Sequence, residues 1–221
     1  MRRVLVLRPE PGASATAQRA REHGLDALAV PLFEVGPVAW SAPDAAGFHG
    51  LLLTSAHAVR HGGEQLGRLR GLSVYAVGEA TADAARAAGF GIAAVGDAGV
   101  ERLLASIAPD LKLLHLCGAD RHEPRQATQE ITPVTVYQST PIEAPDLSTA
   151  SGSIALIHSP RAGRRFAELV RDKGSIAVVA ISDTAADAAG SGWQSTHVAD
   201  EPSDEALLAL AARLCNNPDP K

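Results

Sequence analysis

The stretch Val77-Gly78-Glu79-Ala80-Thr81-Ala82-Asp83-Ala84-Ala85 returns in kind 104 residues later as Ile181-Ser182-Asp183-Thr184-Ala185-Ala186-Asp187-Ala188-Ala189. Each copy runs from a β-branched apolar residue through a small turn residue and an acid into an alanine-rich segment, the pattern of a strand handing over to a helix. The same offset places Thr54-Ser55-Ala56-His57-Ala58 under His158-Ser159-Pro160-Arg161-Ala162 and Glu101-Arg102-Leu103-Leu104-Ala105 under Glu205-Ala206-Leu207-Leu208-Ala209. It also places Val30-Pro31-Leu32-Phe33 under Val134-Thr135-Val136-Tyr137. Alanine-rich sequence matches itself by accident, but one register shared by four separated segments points to two copies of one fold.

Outward from these segments, strand-like apolar runs fall at residues 4–7, 27–33, 51–53, 72–77, 113–116, 134–137, 154–157, 176–181 and 196–199. Alanine- and arginine-rich stretches such as 13–21, 81–88 and 164–173 lie between them and lack proline, so the alternation predicts an α/β architecture with parallel sheets. The second copy, beginning near Ile131, reaches the chain end without a counterpart for the run at 113–116. The N-terminal run at 4–7 is the spare strand that can supply it. The expectation is one discontinuous lobe, 1–35 with 140–221, and one inserted lobe, 36–139, with linkers near 33–47 and 136–149. Pro37, Pro43, Pro141 and Pro145 favour extended backbone at those crossings.

Composition limits the chemistry. With 46% hydrophobic but only 4% aromatic residues, the core must be built from many small aliphatic contacts. A formal charge of -5 with scattered basic residues argues against a nucleic-acid or anionic-membrane surface. The opening apolar run stops at Arg8, too short for a signal core or a membrane span, and Cys117 and Cys215 form no ligand pattern, so a cytoplasmic location is expected. No G-x-G-x-x-G, Walker loop or G-x-S-x-G occurs. His57 and His61 share a helical face, but with no evident third ligand they read as a solvated pair rather than a metal site.

In open α/β sheets ligands bind beyond the carboxyl ends of the strands. The turns expected there carry Arg8, Thr54, Ser55, Gly78, Thr81, Gly118, Ser159, Pro160, Ser182 and Thr184. A single Ser or Thr at such a turn is first of all a helix cap, contributing about 1 kcal/mol. The same hydroxyls and amides also suit the carboxylates of an anionic ligand held between the lobes. Glu79 and Asp183, first-turn acids, read as structural. Tyr137, one of two tyrosines, ends a strand. Its phenol either faces a ligand and donates a proton or packs over the crossing as Phe33 would, and position alone leaves both open.

These residues resemble the uroporphyrinogen-III synthase family over nearly the whole chain. The resemblance is carried by Leu52-Leu53-Thr54-Ser55 with Ala58-Val59, by residues 74–82 with Ala87-Ala88-Gly89, by Val136-Tyr137, by Ile157-His158-Ser159-Pro160 followed by Phe166, and by Ile181-Ser182-Asp183-Thr184. It implies two flavodoxin-like lobes joined by a two-stranded linker with the active site in the cleft. It implies a cofactor-independent hydro-lyase in porphyrin and heme biosynthesis that closes hydroxymethylbilane to uroporphyrinogen III, losing water and inverting the last pyrrole ring. Metal and organic cofactors are not expected, and a monomer is.

By position, Tyr137 matches the family tyrosine thought to assist departure of the hydroxyl, and Thr81 matches a threonine facing the ligand. Ser55, Ser159 and Thr184 match hydroxyl positions around it. The chain departs from the family pattern at Ala56, where proline is common, and at Ser182-Asp183-Thr184-Ala185, where G-x-T-T is common. Cys117 stands where arginine is frequent, which leaves Arg8 and Arg121 as candidate replacements. The rival expectation is a non-catalytic two-lobed sensor for a tetrapyrrole or another anionic metabolite. A response-regulator-like module is disfavoured, because no acidic pocket follows the first strand.

Overall fold

The computed structural model describes residues 2–97, 99–121, 124 and 126–216. The chain divides into two compact units, Met1–Glu34 with Pro141–Lys221, and Val35–Thr140. The first unit holds β1 (Val4–Val6), α1 (Gly12–Glu22), β2 (Ala27–Ala29), β9 (Ile154–Ile157), α5 (Pro160–Leu169), β10 (Ala177–Ala180), α6 (Asp183–Ala189), β11 (Ser195–Val198) and α7 (Asp204–Asn216). Its strands form a parallel sheet in the order β11-β10-β9-β1-β2.

Both faces of its three central strands, β10, β9 and β1, are buried, so these read as unbroken apolar runs. Leu5, Leu7, Ala155, Ile157, Val178 and Ala180 look to one side, where the Phe166 and Trp193 rings stack with centroids 5.3 Å apart. Val4, Val6, Ile154, Leu156, Ala177 and Val179 look to the other and meet Ala13 and Ala17 of α1 and Leu207 and Ala211 of α7. The alternation follows from the two-residue period of a strand. Small side chains are what allow the helices to approach. A Cβ on Gly163 of α5 would lie 2.8 Å from the Ala185 carbonyl oxygen and 3.0 Å from the Ala189 nitrogen of α6. That closeness explains a glycine where the helix alone would be favoured by about 1 kcal/mol with alanine.

The second sheet has the order β3-β8-β7-β4-β5-β6, built from β3 (Phe33–Pro37), β4 (Gly50–Leu53), β5 (Ser73–Val77), β6 (Ile92–Gly96), β7 (Lys112–Gly118) and β8 (Glu130–Pro141). Pairings β4–β5, β4–β7, β5–β6 and β7–β8 are parallel. The helices α2 (Ala56–His61), α3 (Glu79–Ala87) and α4 (Val100–Ala105) connect them. Read from β11 and from β6 inward, the two sheets share one order, with β1 in the first holding the place that β7 holds in the second.

Element limits differ from the sequence pattern in four places. The run at 27–33 is two strands, broken at 30–32 around Pro31, which has no N–H for a ladder. The helix expected over 164–173 is α5, which starts at Pro160 because Ser159 caps it and proline suits its first turn, and ends at Leu169. The strand at 92–96 has no counterpart among the expected runs, since its two alanines give only a weak apolar pattern. β8 extends well beyond 134–137, and the Val38 N–H donates to the Val136 carbonyl at 3.0 Å.

Candidate active site

In the second unit, β4 hands over to α2 through Thr54 and Ser55. Ser55 has extended backbone, φ -156° and ψ 140°, and its Oγ accepts the His57 N–H at 3.2 Å, so it is the helix cap. Thr54 Oγ1 lies 3.1 Å from His115 Nε2 on the neighbouring strand β7. His115 is 2% exposed, and burial, with a smaller contribution from the Arg121 charge, lowers its pKa to about 4. The imidazole is therefore neutral near neutrality. At the end of β5, Gly78 has φ 82°, a left-handed conformation that glycine adopts without strain, and it starts α3. Thr81 lies in the first turn of that helix and is buried.

Tyr137 sits where β7 and β8 slip register. Up to Cys117 the pairing advances one residue for one, and then Gly118 pairs with Tyr137 and skips Val136. The phenol ring lies directly over Gly118. A Cβ there would be 2.7 Å from Tyr137 Cε2, 2.8 Å from Cζ and 3.1 Å from the phenol oxygen. Glycine at 118 is thus a requirement of the tyrosine's position. Burial raises the Tyr137 pKa above its ordinary value of about 10, and the Cys117 side chain adds to the rise. Hydrogen bonds from the Ser55 side chain and the Gly118 backbone oppose it. At neutral pH the phenol keeps its proton, while its oxygen already has donors placed to receive the negative charge if that proton leaves.

His57 and His61 are not a solvated pair. Both are half-buried, and their rings stack with centroids 5.6 Å apart at an interplanar angle of 19°. They stand beside Tyr137, at 5.6 Å from its ring for His57 and 6.4 Å for His61. Burial, and to a lesser degree the charge of Arg60, lowers the His61 pKa. Among the described residues, no group of three or more His, Cys, Asp or Glu side chains is placed to hold a metal ion.

In the first unit the singled-out hydroxyls act as caps. Ser159 Oγ accepts the Ala162 N–H at 3.2 Å, with Pro160 in the first turn of α5. Ser182 Oγ accepts the Ala185 N–H at 3.3 Å and lies 3.0 Å from the hydroxyl of exposed Thr184. Arg8 is engaged inside the unit: its guanidinium lies 3.6 Å from the Asp204 carboxylate and 3.5 Å from Thr16 Oγ1. Asp204 also accepts from Thr16 at 2.9 Å and from Arg19, and meets His158 Nε2 at 2.8 Å. Burial alone would raise its pKa, but the hydrogen bonds from His158, Arg19 and Thr16 outweigh burial and hold it well below the usual carboxylate range.

The structure therefore brings Tyr137, Ser55 and Gly118 together, ties Thr54 to His115, and joins Ser182 to Thr184. Sequence reading passed over His115, His158 and Asp204, and assigned His57 to solvent. A pairing signal existed for His57 in the offset of 104, which sets it under Arg161 and sets Tyr137 over Phe33. Asp204 offered no local signal, since Thr16 lies 188 residues away.

Comparison with known proteins gives concordant results. The family model described as uroporphyrinogen-III synthase HemD matches residues 14–209. A uroporphyrinogen-III synthase from Chlorobaculum parvum is 32% identical over 90 residues, a stretch that takes in 37% of this chain and 37% of that relative. Among solved structures, uroporphyrinogen-III synthetase from Helicobacter pylori superposes with a TM-score of 0.68 at 20% identity, over 97% of this chain and 100% of that one. A mutant uroporphyrinogen III synthase from Thermus thermophilus gives 0.53 at 17% identity, over 98% and 100%. At these identities the structural likeness shows the fold.

Proposed function

We propose what this chain does from one premise: it belongs to the uroporphyrinogen-III synthase family, whose model takes in residues 14–209. It closes hydroxymethylbilane, a linear tetrapyrrole, to uroporphyrinogen III, with inversion of the last pyrrole ring and loss of water. It is thus an enzyme of porphyrin and heme biosynthesis. The family match and the named relatives favour turnover, and no observation favours the sensor.

The observation that carries the chemistry is the Tyr137 phenol, half-buried, protonated and set against Gly118 with the Ser55 side chain hydrogen-bonded to it. Hydroxide is a poor leaving group, and the C–O bond of the substrate breaks readily only as a proton reaches that oxygen. Tyr137 supplies the proton, and the hydroxyl departs as water. The tyrosinate left behind is stabilised by the Ser55 hydroxyl and the Gly118 N–H, which strengthen as charge develops. The electron-rich pyrrole nitrogen takes up the positive charge of the cleaved end, and the substituted α-carbon of the last ring bonds to that end. The bond from this carbon to its original bridge carbon then breaks, the bridge carbon rejoins the ring at its free α-carbon so that the ring is inverted, and the proton lost from that carbon returns to Tyr137 as aromaticity is restored. The chemistry runs on protein groups alone.

Binding of the substrate's carboxylates falls to the carboxyl-end turns: Thr54, Gly78 and Thr81 in the second unit, and Ser159, Pro160, Ser182 and Thr184 in the first. Arg8 is added to this set as a cation held by Asp204. We place the enzyme in the cytoplasm as a monomer; among the described residues no helix is long and apolar enough to cross a membrane. The test is to supply hydroxymethylbilane and separate the oxidised products by isomer. Type III product is expected, and exclusive type I, the spontaneous isomer, would overturn the proposal.

A further inference from the structure

We propose that His57 is a positioning residue for Tyr137, acting through the surface of its ring, an inference that rests on Tyr137 being the proton donor. Gly118 fixes one limit of the phenol's place, because nothing larger than hydrogen fits beneath Cε2 and Cζ. The Ser55 hydrogen bond holds the oxygen and the core packs one part of the ring, and what is still needed is a limit on the ring's tilt away from the glycine. The His57 imidazole, 5.6 Å from the phenol centroid and tilted by 42°, supplies it. His61, stacked on His57 at 5.6 Å, keeps that imidazole from turning away in its own right.

The duplication supports a built-in contact rather than an accident of one side chain. In the first unit the corresponding positions are Arg161 and Phe33, each offset by 104 from His57 and Tyr137. They also meet, with the Arg161 guanidinium carbon 4.4 Å from the Phe33 centroid. In both units, then, the second residue of the helix after β4 or β9 covers an aromatic residue, Tyr137 within β8 and Phe33 at the start of β3, respectively. The first-unit aromatic, Phe33, has no transferable proton. In the second unit the same contact holds a phenol, and a bare backbone and a second imidazole have been added around it.

The test compares His57→Ala with His57→Phe, in which a flat ring is kept and the imidazole's protons are lost. His57→Ala is expected to lower kcat about 10- to 100-fold, the effect of letting a reacting group drift by up to about 1 Å, with KM little changed. His57→Phe is expected to stay within about threefold of the parent kcat. Equal losses in the two variants would overturn the proposal, because they would move the role from the ring's surface to its nitrogens. A second measurement needs no turnover. The chain has two tyrosines, so in a Tyr75→Phe background phenolate absorbance after a rapid pH jump reports Tyr137 alone. Burial is the largest cause of its raised pKa, so His57→Ala is expected to bring the midpoint down towards about 10, and His57→Phe to leave it. An unchanged midpoint in His57→Ala would overturn the positioning role even if the chain makes type III product. A lowered midpoint in a chain making only type I product would leave the contact standing and reject the function.

Discussion

Replacing Gly118 by alanine tests the most exacting contact in the candidate site. The added methyl carbon would lie 2.7 Å from Tyr137 Cε2 and 2.8 Å from Cζ, whereas ordinary contact begins near 3.4 Å. The ring must therefore retreat by about 0.7 Å or more, and because Tyr137 lies within the paired strand β8, the movement falls on its side-chain torsions. Overpacking of this kind costs about 1–3 kcal/mol of stability. The catalytic effect is larger in proportion, since displacing a proton donor by close to 1 Å costs up to about 100-fold in rate. We expect Gly118→Ala to lower kcat by about 10- to 100-fold while most of the protein remains folded at assay temperature. The assay is turnover of saturating hydroxymethylbilane with isomer separation, paired with urea unfolding. The same substitution made on Tyr137→Phe completes the comparison. There the unfolding penalty should persist, because the phenyl ring still meets the methyl group, but the rate should fall little further. Wild-type turnover in Gly118→Ala, or rate losses that simply multiply in the double variant, would refute a glycine that works through the tyrosine.

Tyr137→Phe alone should lower kcat at least about 100-fold with an unchanged unfolding midpoint, the size of effect typical for a lost general acid; an unaltered rate at saturation removes the phenol from the mechanism. His115 gives a pH signature. Its folded pKa of about 4 lies below the ordinary 6.5, so below pH 6.5 the unfolded chain takes up a proton that the folded chain refuses, and stability falls as pH drops from about 6.5 to about 4. The loss approaches about 3 kcal/mol, none of it present above pH 7, and His115→Gln should flatten that part of the curve; an identical pH profile in the variant would refute it. Asp204 acts in the same direction, at lower pH. Its folded pKa is depressed, so its contribution is present above about pH 4 and fades as pH falls below that value. Asp204→Asn should cost about 2–3 kcal/mol in urea unfolding at pH 7, allowing for partial exposure, and a loss under about 0.5 would show that Arg8, Arg19 and His158 do not depend on it.

Tyr137 and its surroundings show where sequence reading stops. That Tyr137 stands near a strand end is visible in the run Val134-Thr135-Val136-Tyr137 and in its likeness to Val30-Pro31-Leu32-Phe33. That its ring rests on Gly118 is not visible, because the contact depends on a one-residue slip between β7 and β8 after Cys117. Without that slip Gly118 would face Val136. In the same way Ser55, Ser159 and Ser182 were legible as helix caps, since a cap answers to residues two or three places ahead. The additional contact of Ser55 with a phenol 82 positions later was not.

By itself the sequence determined the α/β alternation, the turns that start α3 and α6, and the offset of 104 between their segments, because each of these is fixed by side-chain periods and caps that act between near neighbours. Only the tertiary structure decided that β1 sits between β9 and β2, that Arg8 turns to Asp204, and that His57 and Gly118 define the place of Tyr137. Those contacts join residues far apart in the chain. They are set by strand order, by one slip in register and by the burial that makes an unpaired charge or a misplaced ring costly, and none of these leaves a mark on the local pattern of residues.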